Sequence, residues 1–159
     1  MRWPILVLVC LALAVSPLGA ETDARLSQSL KILQSTARSV KWDASSAVSG
    51  DFTCDGVPDT VIAGYTKNRV WIGLVSSRGK EKPIIADFPA GTHQSQDGFC
   101  ASPVKINKEP RNCLGEGDTP LPGCRRAKRC VAFRVYDEEC DSFHFYWDSA
   151  RKRLTYWRL

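Results

Sequence analysis

The spacing of apolar positions changes three times along the chain. In residues 1–20 a basic residue, Arg2, precedes an uncharged apolar run over residues 3–15, and Ser-Pro-Leu-Gly-Ala follows. This is the layout of a secretory signal peptide, with cleavage expected after Ala20; the run is too short for a stable membrane span. From residue 22 to residue 37, Leu26, Leu30 and Leu33 recur at i, i+4 and i+7 among Gln, Ser, Lys and Arg. That spacing predicts an amphipathic helix packed on a sheet. Strand-like patterns come next. Residues 47–52 read as a short strand, and TVIAGY (60–65) and RVWIGLV (69–75) as a hairpin turning through Thr66, Lys67 and Asn68. Their near-continuous apolar character predicts burial on both faces or a place at a sheet's centre. PIIADF (83–88) is a third strand, residues 89–98 a loop, and residues 101–106 a return to the sheet.

Residues 108–128 have no period and carry Pro110, Pro120, Pro122, Gly115, Gly117 and Gly123, which predicts one long loop. The C-terminal segment alternates again. Val131, Phe133 and Val135 oppose Arg134 and Tyr136; after DEEC, Phe143, Phe145 and Trp147 oppose His144 and Tyr146; RLTYWR then closes a β-meander. The expected fold is mainly β (α+β): one disulfide-stapled antiparallel domain over residues 21–159 with a single N-terminal helix.

Cysteine count sharpens this picture. Removing the signal takes Cys10 away and leaves Cys54, Cys100, Cys113, Cys124, Cys130 and Cys140 in 139 residues. An even number in an exported chain reads as three disulfides, with fifteen pairings open. Cys113 and Cys124 bracket the Gly/Pro-rich loop as a natural local pair, while Cys54 must reach Cys100, Cys130 or Cys140. Loss of Arg2 leaves 21 basic against 17 acidic residues, a mild excess. The expected location is the periplasm or the extracellular space.

The stretch GDFTCDGVPD (50–59) carries the clearest candidate chemistry. Asp51, Thr53, Asp55 and Asp59 stand at positions one, three, five and nine of a tight loop, and Gly56 at position six permits the sharp turn. A hard cation takes such an oxygen set. Ile62 occupies the twelfth position, where an EF-hand needs its bidentate Glu, and the following residues read as strand rather than helix. The stretch instead resembles the DxDGxxD calcium loop of FG-GAP and VCBS-type β-repeats. That resemblance implies calcium held by Asp51, Asp55 and Asp59, by Thr53 in place of the usual Asn or Asp, and by the Val57 carbonyl; Cys54 stands where Gly is usual. The loop occurs once, whereas a propeller needs several blades. Its alternative is a metal-free turn whose Asp side chains hydrogen-bond their own backbone. The ending CDSFHFYW resembles small exported bacterial proteins that pair it with such a loop, a likeness that implies no activity.

Other chemistry is sparse. His93 lies beside Ser95 and Asp97 in one loop, and His144 beside Tyr146 on one strand face; no GxSxG elbow is present. Arg125, Arg126, Lys128 and Arg129, with Arg151, Lys152, Arg153 and Arg158 and the aromatics Trp147, Tyr156 and Trp157, point to an anionic partner, with Asp137, Glu138, Glu139 and Asp141 as countercharge. Export argues against nucleic acid. The expected function is a non-enzymatic exported interaction module whose partner is a protein or envelope component. The alternatives are an inhibitor or immunity protein that inserts the Cys113–Cys124 loop into a cell-wall hydrolase, and a small hydrolase using His93 or His144.

Overall fold

The computed structural model describes residues 18–78, 81–91 and 97–158. Most of the expected signal peptide lies outside these residues, as do His93 and Ser95. The helix α1 (Leu18–Thr36) begins four residues before the expected start, so the expected cleavage point after Ala20 falls in its first turn. Glu21 in that turn suits the helix dipole.

Among the described residues nine strands form two antiparallel sheets. The first contains β1 (Lys41–Trp42), β2 (Val48–Gly50), β3 (Asp59–Thr66), β4 (Arg69–Val75) and β5 (Ile84–Pro89), with β1 and β2 both pairing along β3 and the order β1-β3-β4-β5. The second contains β6 (Lys105–Pro110), β7 (Val131–Tyr136), β8 (Phe143–Asp148) and β9 (Arg153–Arg158) in sequential order. The expected long loop is therefore shorter by its first three residues, because Lys108–Pro110 pair with Val131–Phe133. The return expected at 101–106 comes four residues later and joins the second sheet rather than the first. Its weak signal has a physical reason: β6 is an edge strand that buries only Ile106.

β3 and β4 are buried on both faces, as their apolar runs predict. Val61 and Ala63 of β3 and Val70, Ile72 and Leu74 of β4 face the second sheet. Ile62 and Val75 face α1, where Leu33 is fully buried and Leu26 and Leu30 pack around it. Gly73 makes that approach close, since a Cβ there would lie 2.5 Å from Leu33 Cδ2. Between the sheets Phe52, Phe88, Phe99, Phe133, Phe143 and Phe145 form one aromatic core. Phe133 stacks on Phe145 with centroids 4.9 Å apart, and Phe52 meets Phe133 edge-on at 5.0 Å. Trp147, on the same strand, is only half-buried.

Three disulfides hold the layers. Cys54–Cys130 ties the Asp-rich loop before β3 to the start of β7, Cys100–Cys140 ties the segment after β5 to the β7–β8 turn, and Cys113–Cys124 closes the loop between β6 and β7. Bridges of this kind persist in oxidising compartments. No helix among the described residues is long and apolar enough to cross a membrane.

Candidate functional site

The Asp-rich loop is wired by its own carboxylates. Asp51 accepts the Asp55 amide on Oδ1 at 3.0 Å and the Gly56 amide on Oδ2 at 3.1 Å, while Asp55 Oδ1 accepts the Val57 amide at 2.8 Å. Asp59, fully buried, accepts the Phe52 and Thr53 amides on Oδ2 at 3.0 and 2.8 Å. Burial raises its pKa; the Thr53 amide and hydroxyl oppose this, and repulsion from Asp55 adds to it. The Thr53 hydroxyl faces this carboxylate, yet neither Thr53 Oγ1 nor Asp59 Oδ1 reaches hydrogen-bond geometry with any described group, and both are buried. Two turns have left-handed backbone: Gly56 at φ 85°, and Cys54 at φ 62°. Cys54 thus adopts a conformation that glycine takes most readily, and its bridge to Cys130 anchors it there.

A cation already sits on this loop. Arg78 Nε lies 2.7 Å from Asp55 Oδ2, and its Nη2 donates to the Asp55 carbonyl at 2.7 Å. Among the described residues no group of three or more His, Cys, Asp or Glu side chains converges on one point as a metal would require. Of the five residues expected as ligands, the structure brings Asp59 and Thr53 together and places Asp55 under Arg78. It spends both oxygens of Asp51 on amides and uses Val57 as an amide donor. Arg78 carries no motif; it reaches the loop because it follows β4, which pairs with β3.

Arg111 is the second residue that sequence reasoning missed. It is 9% exposed and lies between two bridges, with Nη1 2.7 Å from Cys130 Sγ and also against Cys54 Sγ, Nε 3.2 Å from Cys124 Sγ, and Nη2 donating to the Trp147 carbonyl at 2.6 Å. Desolvation lowers its pKa and the nearby Asp51 charge partly restores it. Its position depends on disulfide pairings that spacing alone does not choose.

The Cys113–Cys124 loop is a stiff miniature hairpin. Leu114 bridges Pro120, the Gly115 amide donates to the Thr119 carbonyl at 2.8 Å, and the Leu121 amide to the Cys113 carbonyl at 3.0 Å. It folds back onto the outer face of the second sheet, where Tyr146 Oη donates to the Pro122 carbonyl at 3.1 Å. Gly123 (φ 70°) is required at its close, since a Cβ there would meet Asp148 Oδ1 at 1.9 Å. Between loop and sheet lies a cavity of about 310 Å³ lined by Glu109, His144 and Trp157 among others. His144 and Tyr146 share a face, as the alternation predicts, and that face is roofed by the loop rather than open.

The basic residues divide. Arg125, Arg126, Lys128 and Arg129 are exposed between two half-cystines, and Arg151, Lys152 and Arg153 are exposed at the β8–β9 turn. The Ser149 amide donates to the Gly123 carbonyl at 2.9 Å, which brings the two segments to one end of the second sheet. Arg158 does not join them: it lies at the far end of β9, over the Phe143 ring. The acidic turn 137–141 is not local countercharge either, since β7 carries it to the opposite end, about 17 Å along the strand. No carboxylate pairs with Arg125, Arg126, Lys128, Arg129, Lys152 or Arg153 among the described residues; Arg151 alone meets one, the buried Asp148, at 3.1 Å.

No family model matches this chain, and neither a curated protein nor a solved structure matches it.

Proposed function

We propose that the protein is an exported, non-enzymatic interaction module of the periplasm or extracellular space that presents a basic pole to an anionic envelope component. One observation carries this reading: seven exposed cations on two separate segments meet at one end of the second sheet through the Ser149–Gly123 hydrogen bond. Crowded like charges repel, and among the described residues only Arg126 and Arg151 of the seven bond to the rest of the fold through their side chains, to the Asn112 carbonyl and to Asp148, while Cys124 and Cys130 already pin both ends of the first segment. Opposite charge on a partner turns that repulsion into attraction, and the acidic turn at the far end orients the molecule as it approaches. Three disulfides favour an oxidising compartment, where nucleic acid is not the available polyanion.

The test is co-sedimentation with purified anionic cell-envelope material across a salt series. Wild type should bind, with affinity falling steeply as salt rises, and a variant with Arg125, Arg126, Lys128 and Arg129 all replaced by Gln should bind at least about tenfold more weakly. Equal binding by the two proteins sinks the reading.

A second reading, an inhibitor or immunity protein against a cell-wall hydrolase, is favoured by the preformed Cys113–Cys124 hairpin, whose tip at Glu116–Asp118 is exposed. A rigid loop loses little entropy on insertion into a cleft. We also propose calcium at the Asp-rich loop. The two buried, unpartnered oxygens of Thr53 and Asp59 support it, and the ion would have to displace Arg78 from Asp55.

A further inference from the structure

Arg111 is buried, and its guanidinium meets sulfur where a carboxylate would be the usual partner. Nε lies 3.2 Å from Cys124 Sγ, Nη1 2.7 Å from Cys130 Sγ, and Nη2 donates to the Trp147 carbonyl at 2.6 Å. Among the described residues no carboxylate forms an ion pair with it, and Asp51 acts on it only at longer range. A disulfide sulfur is a weak acceptor, whereas a thiolate is a charged one, so this guanidinium bonds better to a cleaved bridge than to a closed one.

Of the two bridges it touches, Cys113–Cys124 is the one open to attack. Both of its residues are half-buried and line the cavity of about 310 Å³ beneath their loop, with Arg111 in the same wall. Cys130 is 4% exposed, and neither it nor Cys54 lines that cavity. The separation of 11 residues, against 76 and 40, makes this the bridge that chain entropy holds least. Cys113 has left-handed backbone at φ 59°, which a side chain adopts at a cost and which cleavage sets free. Charge around the bridge favours one leaving group. Arg111 stands on the Cys124 sulfur, Arg125 and Arg126 follow Cys124 in the chain, and Arg126 Nε donates to the Asn112 carbonyl at 3.2 Å, beside Cys113. The opposing carboxylates in the cavity wall are Glu109, which is turned to His144 Nδ1 at 3.0 Å, and Asp118. A cation in contact with sulfur lowers the cost of a thiolate there, and the better leaving thiolate leaves faster.

We propose that Cys113–Cys124 is a thiol–disulfide exchange site, at which a low-molecular-weight thiol enters the cavity, attacks Cys113 and displaces Cys124 as a thiolate held by Arg111. The incoming thiol gives its proton to water and attacks as the thiolate. Its sulfur bonds to Cys113 Sγ, the Cys113–Cys124 bond breaks, and that electron pair stays on Cys124 Sγ. The product is a mixed disulfide, with no net oxidation. A second thiol attacking the mixed disulfide completes the exchange: two thiols become one small disulfide, and the bridge becomes two cysteine thiols. The site uses the bridge and Arg111 and stands independently of the proposed envelope contact.

The experiment treats the folded, oxidised protein with glutathione over a series of reduced-to-oxidised ratios and times, quenches in acid, alkylates, and maps each bridge by mass spectrometry, with circular dichroism as the check on folding. Cys113–Cys124 should open first, at least about tenfold faster than Cys100–Cys140, with the glutathione adduct on Cys113 and the β signal retained. Arg111→Met, which keeps the length of the side chain and removes its charge, should slow the opening of Cys113–Cys124 by about tenfold and leave the rate at Cys100–Cys140 unchanged. Arg126→Gln should slow it by a smaller factor. Opening of Cys113–Cys124 no sooner than Cys100–Cys140, an adduct mainly on Cys124, or an unchanged rate in Arg111→Met would each overturn the proposal. If Arg111→Met does not fold, the order of opening and the position of the adduct on wild type decide it.

Discussion

Asp137 holds the segment after β5 to the β7–β8 turn with one side chain. Oδ2 accepts the Cys100 and Ala101 amides, and Oδ1 accepts the Glu139 and Cys140 amides, so both partners of the Cys100–Cys140 bridge hang on it. Burial pushes its pKa up, but the four amides outweigh burial and leave it below the ordinary carboxylate value. A depressed folded pKa contributes stability that is full above the unfolded value and is lost as pH falls through the folded one. Asp137→Asn turns two donors toward amides that need acceptors and should cost about 2–3 kcal/mol at neutral pH, shrinking toward about pH 2. Urea unfolding of both proteins at the two pH values checks this; an equal difference at both would remove the carboxylate's charge from the account. Asp59 works with the opposite sign: burial raises its pKa, so its contribution diminishes as pH rises through the interval between its unfolded and folded values. Neither role was legible in sequence. Asp137 reads there as one acid among four in a turn, and its partners at 100 and 101 arrive only through the fold.

At the level of elements, legibility followed burial. α1, the β3–β4 hairpin and the C-terminal meander bury enough side chains to impose a period, and the structure has them within a few residues of the expected bounds. β6 buries one residue and β1 is two residues long, so neither leaves a pattern to read. Cys113–Cys124 was the expected local pair, whereas the choice of Cys130 for Cys54 needed the sheets. The separations of 76, 40 and 11 residues rank the bridges by the freedom each removes from the unfolded chain. Chain entropy alone gives about 4.5, 3.9 and 2.8 kcal/mol for Cys54–Cys130, Cys100–Cys140 and Cys113–Cys124. Paired Cys→Ser variants should lose stability in that order in denaturant titrations, and the oxidised wild type should show no alkylated cysteine. Labelled thiols in folded material, or the greatest loss from removing Cys113–Cys124, would contradict it.

Across the whole molecule, the Asp-rich loop stands where the two sheets are joined at one end. Cys54–Cys130 and the hydrogen bond from the Val131 amide to the Asp51 carbonyl, at 3.0 Å, tie it to β7, while Asp59 starts β3. The turn was legible in the sequence, whereas the left-handed backbone of Cys54 and the approach of Arg78, 23 residues from Asp55, were not. Calcium at this loop, as proposed, would have to compete with Arg78 for the Asp55 carboxylate, which makes the proposal measurable as a linkage. With Thr53 as a weak ligand and no bidentate Glu, calcium affinity is expected at the weak extracellular end, about 10⁻⁴–10⁻³ M, and saturation at one hundred times the dissociation constant adds about 2.7 kcal/mol. Thermal melts with and without calcium should show a higher Tm for wild type in calcium and a larger rise for Arg78→Ala, whose Asp55 is released. Asp55→Ala should show none. If several millimolar calcium moves neither wild type nor Arg78→Ala, the arginine is the loop's permanent cation. The likeness to the calcium repeats then reflects only a shared need for a tight turn ahead of a buried strand.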